Sequence, residues 1–153
     1  MSNADTVLGP EYGGVVLDVK ALPATVDAIA PDGSDVRVLL GLTAGSVAHF
    51  ELAPGETSVA VYHRTVEEIW YFVSGEGEMW RGTGDDSRTV PVGPGVCLTI
   101  PLGTHFQFRA LGEEPLRAIG VTMPPWPGDG EAIRSRKGPW SATVAPGPGL
   151  ADA

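Results

Sequence analysis

Cysteine is almost missing from the chain: Cys97 stands alone, so no disulfide can form within it. Cys97 lies in an apolar run, Val96–Ile100, and is expected to be a buried, inert thiol. Also missing is any apolar run of the roughly 18 residues that a membrane-crossing helix needs. The opening stretch, MSNADTVLGPEYGG, has no basic region followed by an apolar one. No secretory signal is visible there, and the cytoplasm is the expected compartment. Basic residues are scarce. Ten Lys and Arg against nineteen Asp and Glu leave a net charge of −9, which argues against nucleic acid or an anionic membrane surface as a partner. No dinucleotide fingerprint, phosphate loop or nucleophile elbow occurs. Histidine numbers three, His49, His63 and His105, so any imidazole chemistry must come from these.

Glycine and proline are plentiful, at 21 and 14, which favours many short strands joined by tight turns. A length of 153 residues suits one domain with a real core. Strand-like runs occur at Val15–Val19, Val36–Leu42, Ser46–Leu52, Glu78–Arg81, Ser87–Val92, Val96–Ile100, His105–Ala110 and Leu116–Thr122. With the two runs described below they make about ten strands and no convincing long helix, the pattern of an antiparallel sandwich or barrel. Leu22–Ala30 is ambiguous, and Pro31-Asp32-Gly33-Ser34 reads as a turn. The expected organisation is an irregular arm over 1–14, a β-barrel over 15–122 and a Pro/Trp-rich segment over 123–140 that packs Trp126 against the outside of the barrel or against a partner. A mobile tail is expected over 141–153.

The densest group of titratable side chains in an apolar span is His63-Arg64-Thr65-Val66-Glu67-Glu68. It sits between two strand-like runs, Thr57–Tyr62 and Glu68–Val73, closed off by Pro54-Gly55 and Gly75-Glu76-Gly77. If Glu68 points inward, a period of two sends Trp70 and Phe72 inward with it, and sends Tyr71 out. A carboxyl group among aromatic rings is desolvated and its pKa rises; a paired His63 would oppose that.

The spacing Gly55-x5-Val61-x-His63-x4-Glu68-x6-Gly75 resembles the first motif of the cupin superfamily, G-x5-H-x-H-x3,4-E-x6-G, with Val61 at the first histidine. Gly95-x5-Pro101-x-Gly103 resembles the opening of the second motif, G-x5-P-x-G-x2-H-x3-N. The resemblance implies an all-β, double-stranded β-helix: a jelly-roll-like antiparallel barrel with a pocket in its lumen. In metal-binding cupins, two histidines and a glutamate of the first motif and one histidine of the second hold a divalent ion. Carried over, the second histidine is His63 and the glutamate is Glu68. Read without a gap, the second motif puts the family's histidine at Phe106 and its asparagine at Ala110. With one deletion, His105 and Arg109 take those places. Phe106, Phe108 and Ala110 alternate with His105, Gln107 and Arg109, and an apolar lumen favours the ungapped reading.

The leading expectation is therefore a small organic molecule bound in the lumen without a metal. His63 and Glu68 would be its general acid and base, and Trp70, Phe72, Phe106 and Phe108 its contacts. The resemblance extends to isomerase, epimerase or cyclase chemistry of that kind. A second reading is a metal-dependent oxygenase or isomerase with iron, manganese, nickel or zinc on a rebuilt site of His63, Glu68 and either His105 or His49. A third is a binding module in which the His63–Glu68 contact merely satisfies two buried polar groups. Exposed strand edges and the Trp126 segment allow a homodimer.

Overall fold

The structure is a computed structural model that describes residues 17–153. The arm expected over 1–14 and the first part of Val15–Val19 lie outside the described residues, and residues 17–19 belong to no strand. Eleven strands follow among the described residues: β1 (Ala28–Ile29), β2 (Asp35–Gly41), β3 (Ser46–Leu52), β4 (Val61–His63), β5 (Glu67–Ser74) and β6 (Glu76–Thr83), then β7 (Asp86–Val92), β8 (Cys97–Ile100), β9 (His105–Leu111), β10 (Leu116–Met123) and β11 (Ala132–Arg134). No helix of the described residues is long and apolar enough to cross a membrane.

The strands form two antiparallel sheets, ordered β1-β2-β3-β10-β5-β8 and β11-β4-β9-β6-β7. The sheets are not hydrogen-bonded into a closed cylinder. They face each other across a shared core that includes Leu52, Trp70 and Phe72 from one sheet and Met79, Phe106 and Phe108 from the other. Alternation explains why these residues meet. Along β5, Glu68, Trp70 and Phe72 are buried while Glu67, Ile69, Tyr71 and Val73 are exposed. Each fully buried large apolar side chain stabilises by about 1.5–3 kcal/mol. Gly120 of β10 permits one close approach: a Cβ there would lie 2.7 Å from Phe50 and 3.0 Å from the Trp70 indole nitrogen. Bare backbone at that point leaves room for the Phe50–Trp70 stack, with ring centroids 4.7 Å apart.

Several expectations change. The run Thr57–Tyr62 is continuous strand only from Val61: Thr57 makes an isolated bridge to Arg109, Ser58 N–H donates to the Phe108 carbonyl (2.8 Å), and Val59 N–H turns aside to the Asp32 carbonyl (2.9 Å). Cys97 is exposed, not buried: Leu98 and Ile100 take the inward phase of β8 and send Cys97 and Thr99 outward. Trp126 does not pack on the outside but reaches the ring of His63, 5.2 Å between centroids. Trp140 is the tryptophan that lies on the outer face of β9, under the Arg109 guanidinium at 4.1 Å.

The segment 141–153 is packed onto the sheets, contrary to the mobile tail expected from its composition. Val144 and Leu150 rest on the core. Thr143 exchanges backbone and side-chain hydrogen bonds with Thr57, Gly147 N–H donates to the Ala30 carbonyl (2.9 Å), and Ala151 bridges Ile133. Gly33, at φ 91°, turns tightly enough for Val144 to lie where its Cβ would stand, 2.4 Å away. Alanine, proline and glycine lose little side-chain entropy on ordering, which is how so plain a sequence can be held. Truncation after Trp140 should lower the melting temperature, at about 2–4 °C for each kcal/mol lost in a domain of this size. A thermal melt unchanged from the full chain would mean the segment contributes nothing.

Candidate functional site

Between the sheets lies a cavity of about 430 Å³. His63 enters it from the end of β4 and Glu68 from the start of β5, so a single short connection brings the two titratable groups together. That connection is held from outside. Glu131 accepts hydrogen bonds from Thr65 N–H (2.7 Å), Thr65 Oγ1 (2.6 Å) and Val66 N–H (3.0 Å), and Arg64 N–H donates to its carbonyl (3.0 Å). Trp70 and Phe106 line the chamber as expected. Phe72 and Phe108 do not: they lie deeper, in the core behind Trp70, with Phe108 edge-on to it at 5.2 Å. Alternation chooses the face of a strand but not the depth along it.

The ungapped reading of the second motif agrees with the structure, since Phe106 faces the chamber and His105 the other way. His105 Nδ1 meets Ser135 Oγ at 2.6 Å and its ring stacks on Tyr62 at 4.4 Å. His49 is also turned away. Its neighbours Ala48 and Phe50 line the chamber, while His49 lies opposite Arg37 in the ladder, with burial and then Arg37 lowering its pKa. Neither histidine reaches His63 and Glu68, so neither rebuilt ligand set is assembled. The positions that would complete a metal-binding set are Val61 and Phe106, which carry no donor atom. Among the described residues no group of three or more His, Cys, Asp or Glu is arranged to hold a metal ion. The residues present do not fit a tightly held metal.

What remains is an unusual pair. Glu68 is 3% exposed, its Oε1 accepting from Trp70 Nε1 (3.2 Å) and its Oε2 hydrogen-bonded to Thr122 Oγ1. Burial pushes its carboxyl up to about 7; the hydrogen bonds from Thr122 and Trp70 resist, and the charges of Asp32 and Glu131 add to the rise. His63 is lowered to about 4, again by burial, with Glu131 pulling weakly the other way. Its Nδ1 stands 3.6 Å from Glu68 Oε1, beyond a hydrogen bond, and has no partner. Between about pH 4 and 7, then, the carboxyl keeps its proton while the imidazole lacks one. This contact is not an ion pair there. It is a neutral carboxyl beside a neutral imidazole.

Four side chains of the chamber were not assigned to it from the sequence. Thr122 lies directly opposite Glu68 in the β5–β10 ladder, a register that only the pairing reveals. Asp32, in the Pro31–Ser34 turn, is buried in the chamber lining; Phe50 and Trp126 add rings to its wall. The Pro-Asp-Gly-Ser composition announced a turn but not where it would dock.

The opposed shifts give opposite pH dependences of stability. Glu68 keeps its proton in the folded chain to about pH 7 but loses it near 4.5 when unfolded, so its contribution is present below 4.5 and lost as pH rises to 7. For His63 the contribution is present above 6.5 and lost as pH falls toward 4. Each is worth about 3 kcal/mol over its range. Denaturant unfolding across pH should show Glu68→Gln gaining stability relative to wild type as pH rises, and His63→Gln losing it. Two difference curves that stay flat would mean both groups titrate as in the unfolded chain.

The profile of the family described as "Cupin domain" matches residues 48–122. The uncharacterized protein MJ1618 of Methanocaldococcus jannaschii is 28% identical over 120 residues, covering 72% of this chain and 93% of that protein. Oxalate decarboxylase from Bacillus subtilis superposes with a TM-score of 0.56 at 20% identity, over 62% of this chain and 26% of its own. The chain thus spans about a quarter of that enzyme's length. BH2720 from Bacillus halodurans superposes with a TM-score of 0.56 at 22% identity, over 65% and 74%. A Klebsiella pneumoniae protein with a double-stranded β-helix domain does so at 0.52 and 22%, over 60% and 76%. Likeness at these identities speaks for the fold, which is the double-stranded β-helix that the two motifs imply. With the profile laid across both motifs and the two facing sheets beneath them, residues 48–122 match the cupin domain family, and the fold around them is that family's double-stranded β-helix.

Proposed function

We propose that the chamber binds a small organic molecule and that Glu68 and His63 move protons on it without a metal. One observation carries this reading: an imidazole whose buried Nδ1 has no hydrogen-bond partner lines the chamber beside a carboxyl whose pKa burial raises to about 7. Leaving a buried polar atom unsatisfied costs about 1–3 kcal/mol, and a ligand that donates to His63 removes that cost. A chamber of about 430 Å³ with mostly apolar walls falls in the range of small-molecule sites.

The chemistry that suits the pair is redox-neutral. His63 accepts a proton from one position of the ligand and Glu68 delivers one to another, so an isomerisation, epimerisation or cyclisation closes with no net electron change. Each group typically contributes about 10²–10⁴-fold. The Bacillus subtilis oxalate decarboxylase carries Mn(II) centres. In this chain Val61 and Phe106 stand at two of the family's ligand positions, so a Lewis acid is not part of the proposal.

A second reading rests on the hydrogen bonds that already occupy both Glu68 oxygens. A carboxyl pinned in this way serves a non-catalytic binding module equally well. Thermal-shift screening against sugars, keto acids and polyketide-like aromatics tests the chamber, since a ligand at 100 times its Kd adds about 2.7 kcal/mol of stability. For a ligand that is turned over, the rate should hold between about pH 4 and 7 and fall outside it. Glu68→Gln should cut kcat by at least about 100-fold while binding persists. A ligand recovered unchanged after long incubation would favour the binding module. Full activity in Glu68→Gln would remove the acid–base role.

A further inference from the structure

The charged side chains that line the chamber are all of one sign. Asp32 and Glu68 are buried in its wall and Asp129 is exposed, while among the described residues no lysine or arginine lines it. The guanidiniums of the nearby strands are turned outward and engaged elsewhere. Arg37 and Arg117 bind Glu51, and Arg109 binds Glu78. Both hydrogen bonds from Ser34 go to Asp32 Oδ1 and none of them to Oδ2. Around these carboxyls stand the rings of Phe50, Trp70, Phe106 and Trp126. His63, also in this wall, is 7% exposed, and its Nδ1 has no hydrogen-bond partner.

From this juxtaposition of two buried carboxyls, four aromatic rings and no cationic side chain, we propose that the molecule bound here is an organic amine with a compact apolar body. The inference rests on the reading that the chamber is the ligand site. A buried carboxylate without a counter-charge is costly, and an ammonium group supplies both the charge and charge-assisted hydrogen bonds. The same cation is attracted by the faces of the surrounding rings. Its apolar body would rest on Ile29, Val36, Val61 and Pro125. A carboxylate or phosphate ester would meet charge of its own sign with nothing to offset it. A bare metal ion is a poorer fit, because the acidic groups are not gathered into a ligand set.

Three probes that share one body test the proposal: phenethylamine, phenethyl alcohol and phenylacetate, titrated calorimetrically into the full chain at about pH 8, above the value of about 7 to which burial raises Glu68 and below that of the amine. The amine should bind at least about tenfold tighter than the alcohol, with no measurable heat from the acid. Asp32→Asn keeps the oxygen that Ser34 needs and replaces the other carboxyl oxygen with an amide donor; it should narrow the amine-to-alcohol ratio at least about threefold. Equal or tighter binding of the acid, or an alcohol that matches the amine, overturns the amine assignment and leaves the chamber as a ligand site. An unchanged ratio in Asp32→Asn likewise overturns it. If none of the three binds, the amine class fails, and the library screen proposed above decides separately whether the chamber binds anything.

Discussion

A carboxylate from late in the chain holds the turn on which the site depends. Glu131 is 4% exposed, yet three hydrogen bonds from Thr65 and Val66 outweigh the rise that burial would impose and keep its pKa below the ordinary value. The clamp fixes the connection between β4 and β5, and the residues after it enter the ladder at once, with Ala132 opposite His63. On its other side β4 meets β9 at Val61 and Phe106. The strand that carries His63 is only three residues long, so these attachments, not its own length, determine where the imidazole points.

The contrast between Glu131 and Glu68 shows how environment sorts like groups. Both are buried glutamates with hydrogen-bond donors at hand, and burial acts on both in the same direction. Glu131 takes two backbone N–H groups and a hydroxyl, enough to favour the charged form. Glu68 has a single hydroxyl and an indole, together with the unfavourable fields of Asp32 and Glu131, and remains an acid to near neutrality. His63 is driven the opposite way by the same apolar surroundings. Where a metal-binding cupin would use a cation to set the charge of its ligands, this chamber sets the protonation of its two groups by exclusion of water.

Much of this was readable from residue order alone, and the rest was not, for identifiable reasons. The period of two placed Glu68, Trp70 and Phe72 on the inner face, and the two motifs placed His63 beside Glu68. The same alternation separated Phe106 from His105, which told ligand position from outer face. Phase fails where both alternating sets are apolar or small: in Val96–Ile100 nothing marks Leu98 and Ile100 as the inward pair, and Cys97 was assigned to the wrong side. Depth along a strand is equally silent, so Phe72 and Phe108 looked like ligand contacts. Asp32 and Trp126 belong to the chamber through the docking of a turn and a proline-rich segment whose composition speaks only of local geometry. Residues 141–153 bury few large side chains, and their order comes from backbone partners that no local pattern discloses.

The outward placement of the lone thiol has a practical consequence. Cys97 sits opposite Tyr71 in the ladder, on the surface that faces away from the chamber, whereas Trp70 and Trp126 form part of the chamber wall. A maleimide dye would attach at one defined point and leave the interior unobstructed. Energy transfer from the two indoles to that dye would then report occupancy from the far side of the sheet.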